Sequence, residues 1–508
     1  MPEVQLRLVR KVLVANRGEI AVRVIRAARE SGLQSVAVFA DCDRGARHMR
    51  MADEAWPLGG NAPGESYLRI DKIVDAARAS GADAVHPGYG FLAENPEFAD
   101  ACESAGLTFI GPSATAIRRM GSKTAAREVA VACGVSVVPG TAAPIPADAP
   151  EADVLREADR IGYPLMLKAV AGGGGKGMRV VSRPEDLHGA LRAARSEAQT
   201  AFGNGAVFVE RRLARPRHIE IQLLGDRHGT VVPFVERECS VQRRHQKVLE
   251  ESPSPSVDPT LRAAIAEAAR KVAASVGYSN AGTIEFLLDE DGRFYFLEMN
   301  TRLQVEHPIT EAVTGVDLVR WQFRLADGER LTLTTADTLV PRGHAIEARI
   351  YAEDPDTGFM PSPGRILHLR PPSGPGVRDD GGYDALGEVP IFYDSLVSKL
   401  IAWAETREQA VARLRRALAE YEIAGIRTTL PFFQWLLEDR HFLEGHVDTT
   451  FLDRTLASRN GQPFAMPTAS AEDAAAIVAA LQLNGAGPQA PSRPVSAWTR
   501  GARLEALR

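Results

Sequence analysis

The segment Phe296-Leu297-Glu298-Met299-Asn300-Thr301-Arg302-Leu303-Gln304-Val305-Glu306-His307-Pro308 gathers oxygen ligands, an arginine and a further glutamate at the end of an apolar run. Alternate side chains of a strand share a face, so Glu298 and Asn300 point the same way. Oxygen ligands on a rigid strand suit a hard cation such as magnesium, which is usually held by one or two carboxylates plus substrate phosphates. Arg302 offers a planar fork for a small oxyanion, and Glu306 stands beside it as a base. Cation, anion clamp and base together point to phosphoryl transfer to a small anion.

The elements that must position these groups are legible nearby. Thr283–Leu288 and Arg293–Glu298 flank Asp289-Glu290-Asp291-Gly292, a strong hairpin signal. A two-residue turn at Asp291-Gly292 sets Glu285 opposite Glu298, and a longer loop shifts that partner. Two facing glutamates repel unless a cation lies between them; the alternative is a solvated strand edge.

Upstream, Lys168 lies on the strand Tyr163–Ala169 and is followed by the glycines 172–175, Lys176 and Gly177. Consecutive glycines let backbone N–H groups wrap a phosphate. The ending is not that of a Walker A loop, so the run reads as a nucleotide lid or as a plain hinge. Glu236–Lys247 is dense in polar groups without hydrophobic periodicity and reads as a charged, solvated loop unless it pairs with the hairpin site. Arg349, a single arginine on a strand, reads by itself as surface.

The first 120 residues alternate strand and helix: strand Lys11–Asn16, helix Ile20–Ser31, strand Val36–Ala40, helix Tyr67–Ser80, strand Ala84–His86. That order predicts a doubly wound parallel sheet. Asn16-Arg17-Gly18-Glu19 lacks the Gly-x-Gly-x-x-Gly fingerprint of a dinucleotide loop. His86–Asn95 follows the third strand and forms either a ligand rim or a tight turn. Pro139–Pro150 reads as a linker before a small α+β module, and a third region begins near Pro341. From about Ala457 the chain turns Ala/Pro/Gly-rich.

At 508 residues the chain is too long for one ordinary core, and 45% hydrophobic with 25% charged residues is a globular composition. A formal net charge of -5 gives no pull toward nucleic acid, and no apolar run approaches a membrane span. The N-terminus does not read as a secretory signal. Cys42, Cys102, Cys133 and Cys239 form no Cys-x-x-Cys pair and read as reduced, mostly buried thiols of a cytoplasmic protein.

Five segments in this order, 11–21, 86–95, 168–178, 236–247 and 298–307, closely resemble the biotin carboxylases of the ATP-grasp superfamily, from about residue 8 to residue 455. The resemblance implies a multidomain α/β and α+β fold. A Rossmann-like N-terminal domain (1–121) would precede an ATP-grasp domain (122–335, lid about 139–212). An α+β C-terminal domain (336–455) and a tail (456–508) would follow. It implies carboxylation of carrier-bound biotin driven by ATP and bicarbonate, with Mg2+ or Mn2+. Carried over by motif, Lys123 and Lys168 resemble phosphate-contacting lysines, with Gly174 and Gly175 in the lid. Glu210, Arg211, Arg212 and Leu213 resemble the hinge that meets adenine, and His218, Gln242 and His245 further ATP contacts. Glu285, Glu298 and Asn300 match metal ligands. Lys247, Arg302, Gln304 and Val305 match the bicarbonate site, Glu306 the base, Arg349 the residue at the biotin ureido group, and Tyr89 an aromatic of the biotin pocket.

Relatives of this type are homodimers that work with a biotin carboxyl carrier protein and a carboxyltransferase subunit, as in the acetyl-CoA carboxylase of fatty acid biosynthesis. This sequence departs from many of them at Ala171, Lys176 and Arg211, and it holds no Ala/Val-Met-Lys-Met biotinylation signature. The resemblance therefore implies a carrier on another chain or a longer polypeptide. Two other readings stay open at this point: a different ATP-grasp ligase, and a nucleotide-binding subunit without activity.

Overall fold

The computed structural model describes residues 8–141, 143–170, 178–464, 473 and 476–480. The glycine run, with Gly174 and Gly175, lies outside the described residues. The chain divides into a unit ending at Gln462 and a second from Pro463, in which Asp473 and 476–480 are helical.

Its N-terminal part is the expected parallel sheet. Strands β1 (Lys11–Val14), β2 (Gln34–Phe39), β3 (Glu54–Pro57), β4 (Ala84–His86) and β5 (Thr108–Phe109) lie in the order β3-β2-β1-β4-β5, with helix α1 (Gly18–Glu30) crossing from β1 to β2. At the carboxyl end of β1, Asn16 Nδ2 donates to the carbonyls of Pro87 (2.8 Å) and Tyr89 (2.7 Å). These bonds strap the 86–95 loop to the sheet. Gly88 adopts φ +65°, and a Cβ there would lie 2.9 Å from Asn16 Nδ2, so this position needs glycine on both counts.

A second, three-stranded antiparallel sheet of order β7-β6-β8 is made of β6 (Leu165–Ala169), β7 (Met178–Val181) and β8 (Val207–Arg211). Leu165 and Leu167 face its own small core with Leu187 and Leu191 of α2 (Pro184–Phe202). Lys168 therefore projects from the other face.

The third sheet has nine antiparallel strands. They are β9 (Arg217–Gly225), β10 (Val231–Pro233), β11 (Arg237–Arg243), β12 (Gln246–Ser252), β13 (Asn280–Leu288), β14 (Phe294–Asn300), β15 (His344–Tyr351), β16 (Val377–Gly381) and β17 (Leu396–Ala404). Their order is β14-β13-β9-β11-β12-β15-β17-β16, with β10 beside β9. Helix α3 (His307–Thr314) packs on β15 and β12. The sheet runs without a break past residue 335, because β12 pairs with β15 from Leu249↔Ala348 to Ser252↔Ala345.

Three sequence expectations change here. Glu236–Lys247 is a buried hairpin, not a solvated loop: Arg237, Glu238, Cys239, Ser240 and Gln242 are all buried. Arg244 and His245 form its two-residue turn with φ 49° and 67°, the left-handed pair that matches strand twist. Its charges are paired inside the protein, which is why no hydrophobic period marks it. Arg349 is buried as well, for the same reason. The β13–β14 turn holds three residues, since Asp289 N donates to Arg293 O (2.8 Å) and Gly292 sits at φ +80°. That loop alone would move the partner of Glu285 by one residue. A bulge at Leu297, between Phe286↔Phe296 and Glu285↔Glu298, restores the pair.

Two buried ion clusters fasten these parts together. Glu251 of β12 receives Arg407 Nε (2.7 Å) and lies 2.7 Å from His344 Nε2. Glu311 of α3 receives Arg23 Nη2 (2.8 Å) from α1 and Arg378 Nη1 (2.7 Å) from β16. Burial pushes both carboxyls up, but His344 and Arg407 at Glu251, and Arg23 and Arg378 at Glu311, outweigh it and hold each at about 2. A carboxyl depressed on folding gives stability above its unfolded value, near 4.5, that is lost as pH falls toward 2. Unfolding midpoints measured from pH 6 down to pH 2 should accordingly drop on the acid side, and Glu251→Gln should flatten that limb. An unchanged limb in the variant would show that folding does not lower the Glu251 carboxyl.

Candidate active site

The site is built on one face at one end of the nine-stranded sheet. His218, Glu220 and Gln222 alternate along β9 and share a face. Glu220 pairs with Glu285 of β13, which pairs with Glu298 of β14. Three glutamates thus lie in a row across adjacent strands, an arrangement that repels itself unless cations intervene.

Two cations do so. Lys247 Nζ, from β12, donates to Glu220 Oε2 (2.6 Å), Glu285 Oε1 (2.8 Å) and Glu306 Oε1 (2.8 Å). Arg237 is 0% exposed and lies beneath. Its guanidinium pairs with Glu220 and donates to Gln222 Oε1 and Thr310 Oγ1 (both 2.9 Å), Thr283 Oγ1 (3.1 Å) and Gln304 Oε1 (2.9 Å). Five partners leave no guanidinium edge unused.

Around this pair the remaining groups converge. Glu285 Oε1 also accepts from Asn300 Nδ2 (2.9 Å) and Gln304 Nε2 (2.7 Å), and Glu285 Oε2 lies 3.0 Å from His218 Nε2. Gln242 Nε2 lies 3.1 Å from His218 Nδ1. Glu306 precedes α3, and its second oxygen accepts from Arg349 Nη2 at 2.9 Å. Arg349 also gives Nε to Glu250 Oε1 at 2.6 Å. Arg302 donates to Asn300 Oδ1 (3.1 Å) and to Glu94 Oε2 (2.9 Å) from the 86–95 loop.

The electrostatics divide the carboxyls. Burial raises Glu306, yet Lys247, Arg349 and Arg237 outweigh it and hold the carboxyl well below the usual range. Glu306 is therefore ionised, the form a base must take. At Glu285, burial is likewise outweighed by Lys247 and His218, and the carboxyl is held well down. Burial and the charge of Glu285 push Glu298 up instead. Two opposed carboxylates with an amide oxygen beside them are the donor set of a hard divalent cation, and these residues fit magnesium.

The structure thus brings together Lys247, Glu285, Glu298, Asn300, Arg302, Gln304, Glu306, Arg349, His218 and Gln242. Val305 lies between Gln304 and Glu306 in the chain, and its carbonyl accepts from Lys399 Nζ at 2.9 Å. The charge of Lys123 also bears on Glu298, whereas the others stand elsewhere. Lys168 Nζ pairs with Glu210 Oε2 at 2.5 Å on the three-stranded sheet. Arg211, Arg212 and Leu213 lead from β8 toward β9; Arg211 N donates to Pro139 O (2.7 Å) and Arg212 N to Pro164 O (2.8 Å). Lys123 opens helix Lys123–Ala132, His245 is exposed at the β11–β12 turn, and Tyr89 hydrogen-bonds Glu19. Cys239 is buried and its thiol is pushed well up by that burial, which suits a packing role.

Sequence reasoning missed Glu220, Arg237, Glu250 and Glu94. The period-2 run of polar residues in His218-Ile219-Glu220-Ile221-Gln222 was the available signal for Glu220, since both faces of that strand are buried.

Three family models match in succession: "Biotin carboxylase, N-terminal domain" over residues 8–117, "Carbamoyl-phosphate synthase L chain, ATP binding domain" over 122–334, and "Biotin carboxylase C-terminal domain" over 347–454. A biotin carboxylase from Nostoc sp. is 51% identical over 442 residues, 87% of this chain and 98% of that one. The chain belongs to the biotin carboxylase family. Its activity is the ATP-dependent carboxylation of biotin. A pyruvate carboxylase subunit from Methanothermobacter thermautotrophicus is also 51% identical, over 443 residues, 87% of this chain and 89% of its own. Among solved structures, the biotin carboxylase domain dimer of Hydrogenobacter thermophilus 2-oxoglutarate carboxylase, in complex with MgADP, ADP and bicarbonate, matches at TM-score 0.83. It is 47% identical, covering 88% of this chain and 98% of that one. Family members therefore serve more than one final carboxyl acceptor.

Proposed function

We propose that this chain carboxylates biotin on a separate carrier protein, using ATP, magnesium and bicarbonate, as the first half-reaction of an acyl-CoA or keto-acid carboxylase. The observation that carries the reading is the Glu306 carboxylate, held between Lys247 at 2.8 Å and Arg349 at 2.9 Å. A base, an anion-binding cation and a second cation for the acceptor thus meet at one side chain.

Bicarbonate engages Lys247, Arg302, Gln304 and the backbone at Val305. Once the anion shares these cations, Glu306 is less strongly held and its basicity rises. It takes the bicarbonate proton, and the freed oxygen attacks the γ-phosphorus, giving carboxyphosphate and ADP. Carboxyphosphate breaks to carbon dioxide and phosphate, and the phosphate removes the N1 proton of biotin. Arg349 holds the negative ureido oxygen while N1 attacks carbon dioxide. Glu285, Glu298 and Asn300 would hold the magnesium that accompanies ATP, offsetting charge on the phosphoryl groups. Lys123, Lys168, His218, Gln242 and His245 bind the nucleotide, with Glu210, Arg211, Arg212 and Leu213 at adenine; Gly174 and Gly175 are assigned to ATP by the family resemblance alone. Tyr89 borders the biotin pocket. The working assembly is a cytoplasmic homodimer with its carrier and a carboxyltransferase subunit, and the latter selects the acceptor.

The test is phosphate release from Mg-ATP with and without bicarbonate, each with and without free biotin. Release should require bicarbonate and rise with biotin. Stimulation by an amino acid or other carboxylate in place of bicarbonate would assign a different ATP-grasp ligase.

A further inference from the structure

Lys399, in the middle of β17, is 0% exposed. It stands directly opposite Arg349 of β15, and residues opposed across antiparallel strands project from the same face of a sheet. The two cations therefore rise together toward the turn that carries Glu306. Arg349 takes the Glu306 carboxylate at 2.9 Å. Lys399 Nζ donates to the carbonyl of Val305, the residue before it, at 2.9 Å. His307 Nδ1 lies 2.8 Å from the preceding carbonyl, that of Gln304. Two consecutive peptides of the anion-binding turn are thus held by buried side chains.

The same ammonium lies 3.1 Å from Glu19 Oε2, at the first turn of α1, and 5.9 Å from the centre of the Tyr89 ring. The Tyr89 hydroxyl donates to the other Glu19 oxygen. Glu19 and Lys399 thereby connect the tip of the 86–95 loop to the turn at 304–306, across elements far apart in sequence. A lysine sealed from water is costly unless paired and fully hydrogen-bonded. Glu19 and the Val305 carbonyl supply that pairing here.

Resting on the function proposed above, we infer that Lys399, with Glu19 as its counter-ion, is a positioning residue: it fixes the Val305 peptide so that Gln304 and Glu306 face bicarbonate, and couples that turn to Tyr89. It touches no reacting atom. A displacement of the order of 1 Å in such a turn costs about 100-fold in rate. Its mark is selective, because the bonds it makes lie on the bicarbonate and biotin side of the site.

The experiment compares wild-type protein with Lys399→Met and Glu19→Gln, measuring phosphate release while bicarbonate, biotin and ATP are varied in turn. Wild type must first show bicarbonate-dependent release; if it does not, the proposed function fails, and that failure is separate from this one. Both variants should lose about 100-fold in kcat/KM for bicarbonate, with a raised KM for bicarbonate and for biotin, and keep the KM for ATP within about twofold. Glu19→Gln keeps the shape and the Tyr89 hydrogen bond, so it decides the matter if Lys399→Met does not fold. A folded variant with wild-type KM for bicarbonate overturns the inference, as does an equal fall in kcat with all three KM values unchanged.

Discussion

Glu306→Gln should abolish bicarbonate-dependent phosphate release while ATP still binds. The substitution keeps shape, and its neighbours keep their other partners: Lys247 retains Glu220 and Glu285, and Arg349 retains Glu250. What is lost is the turn's carboxylate, the group able to take a proton from bicarbonate. A positioned general base contributes about 10²- to 10⁴-fold, so kcat should fall by at least the lower figure. ATP affinity, read by titration with a fluorescent nucleotide, should stay within about twofold, since Glu306 lies with the anion-binding residues. Loss of ATP binding would instead make Glu306 a structural residue of the sheet end.

Arg237→Met should produce the largest loss of stability. The arginine is fully buried and serves Glu220, Gln222, Thr283, Gln304 and Thr310 at once. Methionine fills much of the volume but leaves Glu220 with Lys247 alone and takes a donor from four side-chain oxygens, those of Gln222, Thr283, Gln304 and Thr310. Breaking a buried pair by removing one partner costs about 3–5 kcal/mol. The guanidinium midpoint for loss of the folded signal should fall accordingly. Bicarbonate turnover should fall with it, because Gln304 loses one of its two anchors. A wild-type midpoint would mean that water replaces the guanidinium.

Much of the fold was readable because strand and helix alternate cleanly in the first 120 residues and because Asp-Gly marks a turn. The pairing of Glu285 with Glu298 was readable too, although by a different route. A turn one residue longer than expected and a bulge at Leu297 offset each other, and local sequence reports neither. The polar strand at 237–243 was not readable, since its charges are satisfied by residues far along the chain. Glu220 finds Lys247, Arg237 finds Thr310, and Arg349 finds Glu306. Spacing tells which residues share a face but not which face is buried. Motif resemblance supplied the nucleotide and bicarbonate residues, and it is silent on Arg237, Glu220 and Lys399, which hold them in place. The sheet that joins β12 to β15 is likewise invisible to any local pattern.

That junction has a consequence for synthesis on the ribosome. Until residues 344–351 emerge, the strand at 246–252 is an open edge at the flank of the growing sheet. Roughly ninety residues must be added in between, on the order of 5–20 s at ordinary elongation rates. Lys247, Glu250 and Glu251 lie on that edge, and charged side chains discourage pairing with a stray strand. Lys247, which later meets Glu306, first serves with Glu250 and Glu251 as the nascent chain's protection against aggregation.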